Sequence, residues 1–531
     1  MRISTPQIFN SNIDGYQRGY ASIVKTQQQI SSGVRIQTPA DDPVGAARLL
    51  QLQQQQGLLT QYSGNMTTIS NSLNQEESVL DSITNVLQRA RELAVEAGNG
   101  ALSDEDRAAI AGELDQVQQQ LLTLMNSKDA SGNYLFSGSK SDVQPFIQNA
   151  DGTFSYQGDQ STLNLQVSDT LRLAASDNGW SIFEMASNAS RTQSSLLTNP
   201  DATPGAPQRV FLSQGSVTSD STYNQNFRSG APYTVNIVSA TSYQILDKDG
   251  NDVTSEANTN GVYDAANTDG NSISFRGTKL MLDVAPAKGD DGKSLDDLTA
   301  GYSFSFGMAP DGISSMRSAT NTSNAQITAA SVSDSAAYTS QFPSGGVQLR
   351  FTSATDYEVY AMPAVPGATP MTSGTLGATF PQNITVAGID LTLSEAPATG
   401  DQFSISGSSP ERQNILNTIG QLRDTLNTPT VNDPAAKLAL RNQVAAALSN
   451  IDNGMRQVGM AQSSVGARLN TIDVLKQENQ SIGLANASTQ SSIRDTDIAE
   501  AASQLMLQQT MLEAAQASFA RISQLSLFDK L

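Results

Sequence analysis

The 531 residues carry 31 Lys and Arg against 51 Asp and Glu, a formal net charge of -20. That length favours several domains over one core, and the acidic balance argues against nucleic acid or an anionic membrane as partner, because phosphate binding needs clustered cations. Cysteine and histidine are both absent. Disulfides, thiolate nucleophiles and Cys-ligated zinc are therefore excluded, and so is the commonest general base; no cofactor, metal site or enzymatic activity is expected.

The opening "MRISTPQIFNSNIDGYQ" lacks the apolar core and cleavage site of a secretory signal, and no stretch reaches the roughly 18 apolar residues of a membrane span. By these rules alone the chain reads as cytoplasmic. The first apolar stripe, Ile13, Tyr16, Tyr20, Ile23, Gln27, Ile30 and Val34, steps alternately by three and four, which is a coiled-coil seam with one polar position. Pro39, Asp41, Asp42 and Pro43 interrupt it. Paired carboxylates can hold a metal, but here two helical patterns flank them, so the segment reads as a joint. Pro39 stops the first helix, one aspartate caps the second, and Pro43 fits its first turn.

Beyond the joint Leu52, Leu59, Met66, Leu73, Leu80, Leu87 and Ala94 recur every seventh residue, with a companion seam of Gln55, Tyr62, Ile69, Glu76, Ile83, Ala90 and Ala97. A period held that long predicts a long supercoiled helix. The polar members Gln27, Gln55 and Glu76 either fix register or face solvent. "GNG" at 98–100 ends this helix, and Ser103 with Asp106 forms a capping-box pattern for the next. Its seam is Ile110, Leu114, Val117, Leu121 and Leu124.

From about residue 130 the helical period vanishes. Alternating residues predict strands, with "QGDQ" at 157–160 as a hairpin turn. "ISFRGTKLMLDVAPAKGD" from Ile273 matches "ITVAGIDLTLSEAPATGD" from Ile384 at nine of 18 positions, and "SATSYQI" from Ser239 matches "SATDYEV" from Ser353. These define a tandem duplication of β modules at about 231–306 and 345–406. "GDDGKS" at 289–294 lacks the first glycine of a phosphate loop, and "DKDGND" at 247–252 misplaces the glycine of a calcium loop. The first reads as a plain loop and the second as a turn on Asp249–Gly250. The pairs Asp290–Asp291 and Asp296–Asp297 read as solvated loop residues.

The far end returns to helix. Leu448, Ile451, Met455, Val458, Gln462, Val465, Leu469 and Ile472 form a seam, and a last helix starting near Asp497 carries Leu505, Leu512, Phe519 and Ile522. The fold expected is α+β and multidomain: a coiled-coil rod built from both termini, with β-rich modules inserted in its middle. The domains expected are 1–40 plus 490–531, 41–190 plus 410–489, and 191–409.

"QQISSGVRIQTPADDPVGAARL" and "DTDIAEAASQLMLQQTMLEAAQASFARISQLSLFDKL" resemble the two ends of the bacterial flagellin family, over about residues 1–146 and 411–531. "GNYLFSGSKSDVQPF" at 132–146, Pro43 directly after Asp-Asp, and the ending "SLFDKL" are similar to members that sit between hook and filament. The resemblance implies export as an unfolded chain by the flagellar type III apparatus, which revises the location to the extracellular flagellum. It implies a structural adaptor joining hook to filament, with copies of itself and other hook-associated proteins on both sides as partners. It also implies an export chaperone covering Leu505, Leu512, Phe519 and Ile522. Other readings are a filament-forming flagellin, or an adhesin displayed through residues 231–409. The terminal segments, short and glycine-interrupted, are expected to order only against a packing partner.

Overall fold

The structure is a computed structural model that describes residues 5–149, 152–201, 203, 205–318, 320–365 and 367–528. Three helices open the chain: α1 (Thr5–Ser32), α2 (Pro43–Ala97) and α3 (Asp104–Met125). Two small hairpins follow, β1 (Phe146–Gln148) with β2 (Phe154–Tyr156) and β3 (Asn164–Gln166) with β4 (Arg172–Ala174). A sheet-rich region then runs to residue 408, and α8 (Ile415–Leu426), α9 (Pro434–Arg494) and α10 (Ile498–Phe528) close the chain, the intervening short helices being named below. Terminal helices and middle sheets make this an α+β chain, as expected. No helix among the described residues is long and apolar enough to cross a membrane.

The chain divides into two compact units, one of Met1–Asn71, Asn164–Ala175 and Ala467–Leu531, the other of Ser72–Leu163 and Ser176–Gly466. In the second unit the seven-residue seam of α2 is the heart of a helical core. Leu80, Ile83, Leu87 and Ala90 pack with Leu114 and Leu121 of α3, Ile419 and Leu422 of α8, and Ile451 and Val458 of α9. Each buried leucine or isoleucine contributes about 1.5–3 kcal/mol of transfer free energy. The box at the start of α3 is present, with Ser103 accepting from the Asp106 N–H and Asp106 accepting in return. Of the polar seam positions, Gln27 and Gln55 are exposed, whereas Glu76 is buried and accepts a 3.2 Å hydrogen bond from the Asp177 N–H.

The sheet-rich region consists of two modules with one topology. The first contains β5 (Thr192–Thr198), β6 (Val210–Leu212), β7 (Ser216–Val217), and a helical stretch of α4 (Asp220–Thr222), a π-helical turn (Tyr223–Phe227) and α5 (Arg228–Gly230). It continues with β8 (Tyr233–Ser239), β9 (Ser242–Leu246), β10 (Asn271–Phe275), β11 (Thr278–Val284), α6 (Leu295–Thr299) and β12 (Ser303–Met308). The second runs β13 (Gly312–Arg317), β14 (Ile327–Val332), α7 (Ser335–Gln341), β15 (Val347–Phe351), β16 (Asp356–Ala361), β17 (Thr372–Thr375), β18 (Gln382–Val386), β19 (Ile389–Leu393) and β20 (Gln402–Ser408). One sheet is ordered β5-β12-β8-β9 in the first module and β13-β20-β15-β16-β17 in the second. The other is β10-β11-β6, with β7 also on β11, against β14-β19-β18. Each pair of sheets encloses its own apolar core.

The shared topology places matching chemistry at matching points. The β10–β11 turn is Arg276 and Gly277 and the β18–β19 turn is Ala387 and Gly388, all four at positive φ, the geometry that suits the twist of a tight hairpin. A Cβ on Gly277 would stand 2.7 Å from the Tyr223 nitrogen, and one on Gly388 would stand 2.3 Å from that of Tyr338, so both glycines are obligatory. Tyr223 stacks on Phe227 at 5.0 Å, as Tyr338 stacks on Phe342 at 4.9 Å. The structural repeat therefore begins at β5 and β13, further toward the N-terminus than the segments 231–306 and 345–406.

Two loop readings need correction. "QGDQ" is not a hairpin turn, because β2 before it pairs with β1 and β3 after it pairs with β4. Asp159 instead organises the loop, accepting from the backbone N–H groups of Ser139 and Ser161. Asp290 is not solvated. It is buried, accepts from Arg209 Nε at 2.8 Å and from the Ala287 N–H at 2.7 Å, and pairs with Lys293. The guanidinium beside it holds its carboxyl well below the usual range. Its counterpart Asp401 is also buried, accepting from Ser323 Oγ and from the N–H groups of Thr322 and Ala398. Of the other three, Asp291 is exposed, Asp296 accepts from the Ala240 N–H, and Asp297 closes a capping box with Ser294 at the start of α6. "DKDGND" does form a turn, with the Gly250 N–H donating to the Asp247 carbonyl.

A deletion should respect these boundaries. The ends of the second module lie side by side, Gly312 opposite Ser408, so excising 312–408 should leave the thermal unfolding of the remaining chain unchanged. Excising 231–409 strands β5, β6 and β7, whose partners are β12 and β11. It should expose Val210, Leu212 and Val217 and give an early, aggregating transition. Identical melting of the two deletion proteins would overturn the module boundaries.

Candidate assembly face and joint

α1 and α10, both in the first unit, pack on one another. On α1 the inward residues are Ile23 and Thr26, both buried, with Ile13, Gly19 and Ile30 half-buried. Tyr16 is 40% exposed and Tyr20 58% exposed. The contact stripe thus runs through Gly19 and Thr26, each one residue before an expected position. On α10 Leu505, Leu512 and Phe519 are half-buried on the facing side, and the side chain of Ile522 lies outside the described residues. Polar groups thread the same face. Thr26 Oγ1 donates to Gln508 Oε1 at 3.0 Å, Gln508 Nε2 to Ser22 Oγ at 3.0 Å, and Gln516 Nε2 to the Tyr16 hydroxyl at 2.8 Å. An open groove of about 920 Å³ remains along the pair, lined by Ile13, Tyr16, Gly19, Leu512 and Phe519 among others. Tyr20, Val24, Met506 and Leu507 are well exposed outside the groove, and Met511, also exposed, lines it.

The joint has a definite geometry. Pro39 lies in the turn between the helices and does not stop α1, which already ends at Ser32, where Gly33 turns to positive φ; Pro43 is the first residue of α2, as expected. Asp42 stands before it, its Oδ1 accepting from the Gly45 N–H at 2.9 Å, which satisfies one of the orphan donors of the first turn. A Cβ on Gly45 would approach Asp42 Oδ2 to 2.5 Å and Ile36 Cδ1 to 2.7 Å, so the tight fit of the cap depends on glycine there. Asp41 turns the other way. Its Oδ2 accepts from the N–H groups of Gln37 and Thr38 at 3.0 and 2.8 Å, and its Oδ1 lies 2.6 Å from Lys25 Nζ of α1. The Lys25 ammonium, helped by the Thr38 N–H, holds the Asp41 carboxyl far below the ordinary carboxylate range.

The segment after α1 also meets the break between α9 and α10. Val34 lies opposite Asp495 in a short antiparallel bridge. Gly33, Arg35 and Thr496 complete this contact, which no spacing in the sequence connects. Thr496-Asp497, two residues before α10 and three before Glu500, is the one local signature that marks the second break. Asp497 there accepts from the N–H groups of Ala499 and Glu500. Among the described residues no group of three or more His, Cys, Asp or Glu side chains is placed to hold a metal ion.

Residues 3–141 match the family described as the bacterial flagellin N-terminal helical region, in line with the resemblance expected at the N-terminal end. The chain is 37% identical over 190 residues to flagellar hook-associated protein 3 of Salmonella typhimurium, a match covering 36% of this chain and 59% of that protein. Against the protein of the same name from Escherichia coli the identity is 35% over 190 residues, with the same shares covered. The chain thus spans about three-fifths of the length of these curated relatives. A crystal structure of flagellar hook associated protein-3 from Legionella pneumophila matches with a TM-score of 0.47 and 21% identity, covering 83% of this chain and 98% of that one.

The joint carries its own pH signature. Because the folded Asp41 carboxyl titrates below its unfolded value, its contribution to stability is present at all pH values above the ordinary carboxylate range. It is lost only as pH falls through the depressed folded value. An NMR titration should place the Asp41 midpoint well below that of a free aspartate, and Lys25→Ala should raise it. A midpoint unmoved by Lys25→Ala would show that the backbone donors alone hold the carboxylate.

Proposed function

We propose that the chain is a structural adaptor of the bacterial flagellum, joining hook to filament as one layer of an extracellular tube. The observation that carries this reading is the terminal helix pair. α1 and α10 pack on each other through one face and leave Tyr20, Val24, Met506 and Leu507 exposed, to be covered. A tube that continues in both directions needs heterologous contacts of that kind, since a two-fold interface closes on itself. The name of the Salmonella and Escherichia relatives, flagellar hook-associated protein 3, points to the same layer.

In this reading the partners are copies of the chain itself and other hook-associated proteins on the hook side and the filament side. The terminal helices and the long helices form a coiled-coil rod, and the β modules are an appended outer part. The assembly domain is 1–40 plus 490–531, the rod 41–190 plus 410–489, and the outer part 191–409. The chain passes from cytoplasm to flagellum unfolded, through the type III apparatus, and has no enzymatic role. An export chaperone covers Leu505, Leu512, Phe519 and Ile522 before assembly. Because the first three of these face α1 once folded, the chaperone and α1 compete for one side of α10.

The test uses a strain lacking the gene. The wild-type chain should restore filament attachment, seen by electron microscopy. The Leu512→Asp/Phe519→Asp double variant should be secreted but not incorporated, because each carboxylate buried without a partner costs several kcal/mol. Purified wild-type chain that elongates filament seeds would identify a flagellin and sink the adaptor reading.

A further inference from the structure

The last turn of an α-helix leaves carbonyls with no partner inside the helix, and α9 ends in the first unit at Arg494 with its final turn exposed to that cost. Two of those carbonyls are satisfied by a single residue from the opposite end of the chain. The Arg35 N–H donates to the Arg494 carbonyl at 2.6 Å, and Arg35 Nη2 donates to the Ile493 carbonyl at 2.6 Å. The favour is returned at the end of α1. The Thr496 N–H donates to the Gly33 carbonyl at 2.9 Å, and Thr496 Oγ1 reaches the Gln29 carbonyl at 3.4 Å. Gly33 sits at φ +68, the left-handed conformation in which a helix is commonly ended. Each chain break is therefore the cap of the other.

We propose that Arg35 is a positioning residue that closes these two breaks into a single clip, so that α1 and α10 enter and leave the folded state together and are carried through assembly as one body. The geometry requires the coupling. With the guanidinium bonded to α9, the backbone of residues 33–35 is held against 494–496, and Gln29 Nε2 ties the Arg35 carbonyl back to α1 at 2.7 Å. Neither joint can swing without breaking charge-assisted or backbone bonds at the other. The same Arg35 Nη2 lies 3.8 Å from Asp42 Oδ2, so the clip adjoins the cap of α2, whereas Asp41 acts on the Lys25 and Gln37–Thr38 side.

Hydrogen exchange on the full-length monomer tests the coupling directly. In Arg35→Ala, protection at the Thr496 amide should fall by about tenfold or more, the scale expected for losing a hydrogen bond to a charged group. Arg35→Lys, which keeps one charged donor, should fall less, and Leu391 in the second β module should be unchanged in both. Thr496 protection that is unaffected in Arg35→Ala overturns the proposal.

A second arm tests whether the clip stays closed. Val34 and Asp495 form the non-hydrogen-bonded pair of the bridge, a geometry whose Cα separation of about 4.5 Å lies within disulfide reach. The chain has no cysteine, so Val34→Cys/Asp495→Cys introduces the sole pair. This arm rests on the adaptor reading. Oxidised protein that joins hook ends as well as its reduced form supports the proposal. Reduced protein that joins while the oxidised form is excluded overturns it. Failure of both forms counts against the adaptor reading, and the exchange data then decide the clip alone.

Discussion

The structure depends on apolar seams from opposite ends of one chain burying each other. Leu80 and Leu87 of α2 share a core with Ile419 of α8 and Ile451 and Val458 of α9, and Ile23 and Thr26 of α1 lie against α10. Contacts of such long sequence separation carry a loop-closure cost. The β modules reduce it by the way they are inserted. Thr192 pairs with Met308, and Gly312 with Ser408, so each module returns the chain to where it left. Once both have folded, the long stretch between α3 and α8 behaves as a short connection, and its length no longer opposes the closing of the helical core.

Ionic contacts then tie the first module to that core. Arg191 is buried and pairs with both Asp220 and Glu411, and Glu411 also takes Arg228 at 2.9 Å. Arg441 of α9 bonds the Asp283 carboxylate and the Asp269 carbonyl. The second module carries the opposite sign at the matching aromatic: Tyr338 donates its hydroxyl to Asp311 at 2.9 Å, where Tyr223 has the Arg191 guanidinium over its ring. Burial and the neighbouring carboxylate push the Tyr338 hydroxyl up to about 12. Two copies of one fold have thus diverged at their attachment, the first being clamped by arginines.

How much of this was legible in the sequence depended on how far each signal was local. The seven-residue period of α2 read directly, because a seam buried on every seventh residue leaves no choice of face. The stripe on α1 read one residue out of phase at two places, since Tyr20 and Gln27 were weighed by apolarity and spacing while the helix contact uses Gly19 and Thr26. Small residues let a neighbour approach, and Leu512 comes within 3.6 Å of where a Gly19 side chain would begin. The repeat of β modules was visible where residues were identical, at the β10–β11 and β18–β19 hairpins. Its first strands were hidden, although the shared "F-x-S-G" at Phe227 and Phe342, four residues after Tyr223 and Tyr338, was there to find. Asp290 looked like a loop carboxylate because its partner Arg209 lies 81 residues away.

The joint shows the same limit from the other side. Pro39, Asp41, Asp42 and Pro43 announce a break because turn chemistry is local. What the break does is set by residues more than 450 positions distant, at Ile493 to Thr496, and no spacing rule connects them. A helix end costs unsatisfied carbonyls wherever it falls, so two ends placed together can each supply what the other lacks. That economy explains why both helical breaks sit at one place in the unit, and why a basic residue and a glycine stand immediately after α1. A break with its own complete set of caps would need neither Arg35 nor Gly33, and the terminal helices would then be two independent arms.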